Sequence, residues 1–132
     1  MKYWLAVPAA AVILLLVLSL PRITPAPSQR PVHAVAQIDA MGEALREFRE
    51  ACGAYPTTAD GLRSLVAGMP HPSCAAYPAE GFLTAVPNDP WGYPFVYSSD
   101  GQQYSLRSNG ADGMPGGSDL AADIEASNAG SR

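Results

Sequence analysis

Residues 32–52 read VHAVAQIDAMGEALREFREAC, and the placement of their apolar side chains frames the whole fold. Val35, Ile38, Met41, Leu45, Phe48 and Cys52 recur at three- and four-residue steps, while Asp39, Glu43, Arg46, Glu47, Arg49 and Glu50 fall elsewhere on the wheel. That period predicts one amphipathic α-helix of about five turns, with Gly53 as its stop. The apolar stripe is expected to pack against the rest of the same domain. Downstream, Tyr93 to Leu106 reads as two short strands, YPFVY and QYSL, folded about Asp100-Gly101. An Asp-Gly pair between β-rich runs is a hairpin signal. Between helix and hairpin, Thr58 is placed as the N-cap of a second, shorter helix. Asp60 lies in its first turn, and Leu62, Leu65 and Val66 form its apolar face up to Gly68. Residues 69–81 form a loop bearing Pro and Cys. The expected class is α+β: an N-terminal amphipathic helix packed on a small antiparallel β-sheet.

The chain of 132 residues holds one ordinary domain at most. Its 13 Pro and 12 Gly are too many for a helical rod, which leaves a small, loop-rich fold. Lys2, Arg22 and Arg30 are the only charges before residue 32, so the remaining five bases face all 12 acids. An acidic domain without a basic face is a poor match for phosphates, so nucleic acid is not an expected partner.

From Tyr3 to Leu20 the sequence YWLAVPAAAVILLLVLSL runs 18 residues without a charge, close to the roughly 20 that span a bilayer. It is an insertion signal, either cleaved or kept. We read residues 1–20 as a retained transmembrane signal anchor, because the small residues Ala34 and Ala36 lie far beyond the apolar run. Residues 21–31, with prolines at 21, 25, 27 and 31, form a Pro-rich tether. An exported domain then covers 32–126, and 127–132 is a flexible tail. The protein is thereby placed in the inner membrane, single-pass, with its C-terminal domain in the periplasm.

Cys52 and Cys74 are the only cysteines, and outside the cytoplasm a disulfide between them would persist. Two buried thiols are the alternative; a zinc site lacks a CxxC or His pair to complete it. No catalytic residue is assigned. His33 and His71 have no patterned partners, Glu47 and Glu50 lie on the solvated helix face, and neither a GxSxG nor an HExxH motif occurs. The chain is not expected to be an enzyme.

Three ordered blocks remain: Gly53-Ala-Tyr55-Pro56-Thr57-Thr58-Ala-Asp-Gly61-Leu62-Arg-Ser-Leu65; Gly81-Phe82-Leu83 through Pro87-Asn-Asp89-Pro90-Trp91-Gly92-Tyr-Pro94-Phe95-Val-Tyr97; and Tyr104-Ser-Leu106-Arg-Ser108-Asn-Gly110-Ala111-Asp112-Gly113 through Ala122-Asp123-Ile124. Together they resemble the major pseudopilins of type II secretion systems, protein G of the general secretion pathway. The resemblance implies a long N-terminal helix on a small antiparallel sheet. It also implies a structural subunit or accessory of the periplasmic pseudopilus that supports export of folded proteins across the outer membrane. Expected partners are other pseudopilins and inner-membrane components of that system, and a homo-oligomer is compatible with it. The second reading is a membrane-tethered, calcium-binding envelope module that does not polymerise. In the middle block, two prolines fix φ, Asp89 can accept from a nearby amide, and Trp91 is expected to bury its ring under the sheet.

Family members start with a short basic leader ending in Gly, followed by Phe-Thr-Leu-x-Glu. This sequence shows neither, its first Gly being Gly42 and its first acid Asp39. It is therefore not expected to be processed by a prepilin peptidase or to build filaments by itself.

Asn109 to Asp123 form an acidic, Gly-rich loop. On its residues alone it reads as a solvated loop more readily than as a cation site, and it does not match an EF-hand. The resemblance assigns Ca2+ to it, with Asp112 and Asp123 at the family's Asp positions. Asn109 would then give a backbone carbonyl, with Asp119 as a weaker candidate; six to eight oxygens are required.

Overall fold

The computed structural model describes residues 25–69 and 71–128. The readings made for residues 1–24, and for 129–132 of the tail, lie outside the described residues. Among those described, no helix is long and apolar enough to cross a membrane.

Helix α1 runs Arg30–Cys52, with Pro31 in its first turn, where a missing N–H costs nothing. It continues from a short helical turn, Pro27–Gln29, so the helix takes in the last residues read as tether. It ends at Gly53, whose φ of 87° is left-handed and whose N–H donates to Arg49 O at 2.8 Å. The buried line is Ala34, Ile38, Met41, Ala44, Leu45 and Phe48. Val35, expected in the stripe, is exposed, and two alanines stand on the contact line in its place. Small side chains there let the helix lie close to what it covers.

It covers an antiparallel sheet of β1 (Val96–Ser99), β2 (Tyr104–Ser108) and β3 (Ile124–Ser127), with β2 in the centre. Tyr97 pairs with Leu106 and Leu106 with Ala126, so one inward layer crosses all three strands. Tyr104 and Ser108 share that face of β2. Val96, Arg107 and Glu125 lie across one another on the outward face. Tyr97 donates to Pro56 O at 2.7 Å, and burial pushes its hydroxyl up to about 12. Leu65, Leu62, Phe95 and Tyr55 complete the core.

The hairpin forms where expected, but its loop is four residues, 100–103, instead of a two-residue turn. The Asp100 carboxylate accepts from the amides of Gln102 and Gln103 at 2.9 and 2.8 Å. Those bonds, Gln103 first, hold its pKa below the ordinary value. β1 begins three residues later than expected, because Tyr93 belongs to the preceding turn, donating and accepting with Asp89. Strand β3 has no counterpart in the sequence reading.

The second helix is reduced to one tight turn, Leu62–Leu65. Thr58 does not cap it. Its hydroxyl instead donates to Ser99 O at 3.0 Å and accepts from Ser99 N at 2.8 Å, tying the turn to the edge of β1. Trp91 is only half-buried, and the buried residue of its motif is Asp89, 4% exposed.

Candidate functional site

Because Ser108 and Ile124 are register partners, the fifteen residues between them leave and rejoin the sheet at one place. Two short turns, Gly110–Asp112 and Asp119–Ala121, fold the loop on itself. At Gly110 φ is 66°, and a Cβ would stand 2.7 Å from Ala122 O, so only glycine permits this closure.

Inside the closure, Asn109 Nδ2 donates to Gly113 O at 3.3 Å, and Gly116 N donates to Asp123 Oδ2 at 3.0 Å. Asn109 Oδ1 and Asp123 Oδ1 are buried and accept from nothing among the described residues. Buried polar atoms are normally paired, so both oxygens are open to a further donor or to a cation. Arg107 Nε, also buried without a hydrogen bond, lies 3.7 Å from Asp123 Oδ2.

The expected ligands are therefore divided. Asp123 and Asn109 turn free oxygens inward, and for Asn109 the free atom is a side-chain oxygen where a backbone carbonyl was expected. Asp112 is exposed and accepts from Met114 N at 3.0 Å. Asp119 is exposed, at φ 52°. Among the described residues no three His, Cys, Asp or Glu side chains gather as a metal set. A hard cation here would draw several oxygens from the backbone, which calcium accepts and zinc does not.

The loop stands on the Pro-Trp turn. Asp89 Oδ1 accepts from Trp91 N and Tyr93 N at 3.1 and 2.8 Å, and Oδ2 accepts from Ser108 Oγ at 2.7 Å. Ser108 Oγ in turn accepts from Gly110 N at 3.2 Å. Asp89 thus fixes the start of the loop through one hydroxyl. Sequence reasoning passed over Ser108 and Arg107; the one signal for Ser108 was its parity with Leu106 on the inward face of β2.

Cys52 and Cys74 form a disulfide, with Cα atoms 4.3 Å apart. Beside it, Asp60 Oδ2 accepts from Thr57 N at 2.9 Å and Thr57 Oγ1 at 2.6 Å, and meets His71 Nε2 at 3.2 Å. The Thr57 hydroxyl, then its amide, hold the Asp60 carboxyl below its ordinary pKa. Since that hydroxyl is bonded to Asp60 and not to His71, the trio ties two loops together.

A long helix on a three-stranded antiparallel sheet, with a closed glycine and acid loop between its last two strands, defines a pseudopilin domain. The family profile described as type II secretion system (T2SS), protein G, matches residues 24–127. The type II secretion system core protein G of Pseudomonas aeruginosa is 38% identical over 117 residues, covering 84% of this chain and 81% of that protein. That of Vibrio cholerae is 37% identical over 93 residues, covering 69% and 64%. A crystal structure of the major pseudopilin from the type 2 secretion system of enterohaemorrhagic Escherichia coli superposes with a TM-score of 0.60 at 28% identity, covering 81% of this chain and 92% of that one. The chain belongs to the protein G family of the type II secretion system. It is a pseudopilus protein of the cell envelope, and the reading as a module that has left the polymer is not favoured.

Proposed function

We propose that this chain is a structural subunit of a type II secretion pseudopilus, held in the inner membrane by residues 1–20 with its folded domain in the periplasm. It would act there with other pseudopilins and inner-membrane components, as a non-catalytic part. The loop from Asn109 to Asp123 would carry one calcium ion. The observation that carries the calcium reading is the pair of buried, unbonded oxygens, Asn109 Oδ1 and Asp123 Oδ1. When bound, the cation would supply positive charge to carboxylate and carbonyl oxygens that otherwise repel one another. The residues do the rest. Gly110 permits the close approach of the two loop ends, Asp89 and Ser108 fix its first residue, and Asp123 closes it against β3.

The loop has little apolar surface of its own, so ion binding adds directly to folding stability. At free calcium one hundred times the dissociation constant, the gain is about 2.7 kcal/mol. For a domain of this size that is on the order of 10 °C in melting temperature. Melting the full chain in detergent, with calcium and with chelator, should show this difference in the wild type. Asp123→Ala and Asp112→Ala should lose it. Coincident wild-type curves in the two buffers would eliminate the site.

For the role in secretion, deletion of the gene should stop export of the system's substrates while the outer membrane stays intact. Restoration by the full chain and undiminished export in the deletion strain are opposite results, and the second ends the reading.

A further inference from the structure

Among the described residues Arg107 is the base that pairs with a carboxylate of the loop, and its surroundings give it two acceptors on the same side. On β1 its register partner is Val96, which offers none. On β3 its partner is Glu125, and Asp123 precedes Glu125 by two residues, so both carboxylates fall on the side of β3 that faces Arg107. At present the guanidinium leans to Asp123, at 3.7 Å, without a hydrogen bond to it. Glu125 Oε1 meanwhile accepts from Ser105 Oγ at 2.8 Å, one step along the same face of β2.

We propose that Arg107 is an internal counter-ion competing with calcium for Asp123, and that Glu125 receives it when the cation enters. This rests on the calcium reading. Asp123 Oδ2 is bonded to Gly116 N, so its free Oδ1 is the atom a cation would take, and a guanidinium beside the same carboxylate opposes a divalent charge there. Without calcium, the same guanidinium neutralises Asp123 and keeps the loop against the sheet. Arg107 therefore weakens the site and at the same time supports the empty loop. Glu125, directly across the strand pair, lowers the cost of the exchange by giving the displaced charge another partner.

The test is calorimetric titration of calcium chloride, with magnesium chloride as control, into the full chain in detergent, together with melting in chelator. Removing one partly screened like charge should tighten calcium by roughly tenfold in Arg107→Gln, equivalent to about 1.4 kcal/mol. The melting temperature of that variant in chelator should fall. Arg107→Lys should stay near the wild type, and Glu125→Gln should bind calcium several-fold more weakly. Wild-type binding with the same or lower affinity in Arg107→Gln overturns the counter-ion and leaves the calcium site standing. Absence of calcium binding in the wild type and in Arg107→Gln removes the calcium reading and this inference with it. Should Arg107→Gln fail to fold without calcium, Glu125→Gln decides: unchanged affinity there overturns the exchange.

Discussion

Replacing Phe48 with alanine should cost about 4 kcal/mol, the middle of the range for emptying a buried aromatic site. The ring is 1% exposed on the inner face of α1. It meets Phe82 at 5.4 Å, His71 at 5.6 Å and Tyr77 at 6.4 Å between ring centroids, the last two edge-on. Edge-on aromatic contacts of this kind contribute beyond their buried area. Two of these three rings are held where they are: Tyr77 donates to Ser64 O and Val66 O at 2.9 and 2.7 Å, and His71 meets Asp60. The less a cavity can collapse, the more such a substitution costs. In a domain of about 100 residues the loss corresponds to roughly 15 to 25 °C in melting temperature. Denaturant unfolding of the wild type and Phe48→Ala measures it. A loss below about 1.5 kcal/mol would show that this ring is not what joins the helix to the loop after residue 67.

The stripe that contains Phe48 was legible because a 3.6-residue period is written in the chain itself. What the period did not reveal is which edge of the stripe faces the sheet. Ala34 and Val35 stand four and three residues before Ile38, so either can join its stripe, and the larger side chain was the natural choice for the core. The structure buries Ala34 completely and leaves Val35 at 45% exposure, because close approach favours the smaller residue. Similarly, Asp100-Gly101 announced a hairpin, whereas the four residues of β3 follow a glycine-rich loop and carry one β-branched side chain, too little for alternation to register. Arg107 shows the limit most clearly. In sequence it is one base just past the end of the expected second strand. It becomes a neighbour of Asp123 only once β3 pairs with β2, and that pairing depends on a loop closure that no local spacing encodes.

Thr58 failed as a helix cap for a related reason. Its hydroxyl can serve the turn ahead of it or a backbone far along the chain, and the edge of β1 offers both a donor and an acceptor at Ser99. A short helix of weak amphipathicity has little to set against that, since isolated turns are marginal without packing. Asp89 was read correctly as an acceptor of nearby amides. The tryptophan beside it was expected to be the buried residue of the motif, yet it is the carboxylate that lies inside, satisfied by two amides and a hydroxyl.

Loss of the Cys52–Cys74 bond should cost about 3 kcal/mol, the loop-entropy value for a closure of 22 residues. The bond joins the last residue of α1 to the loop after residue 67, which has other ties besides the packing on Phe48. His71 meets Asp60, Tyr77 donates to two carbonyls of the turn 62–66, and Cys74 N donates to His71 O within the loop itself. Those contacts persist on reduction, so the domain is expected to stay folded at room temperature and to melt roughly 12 to 20 °C lower. The two stabilising devices are separable. Phe48 acts in the folded state, by filling space, whereas the disulfide acts mainly on the unfolded chain, by denying it the open loop. The double change Cys52→Ala/Cys74→Ala should therefore leave the contacts of Phe48 in place while lowering stability as much as reduction does. Melting the wild type with and without reductant, beside that double variant, tests the argument, and non-reducing peptide mapping should find the two cysteine peptides joined. Equal melting temperatures for the oxidised and reduced protein would mean that the core alone holds the loop. A bond that matters this much to a small domain requires an oxidising compartment, which ties the stability of the fold to its proposed place in the periplasm.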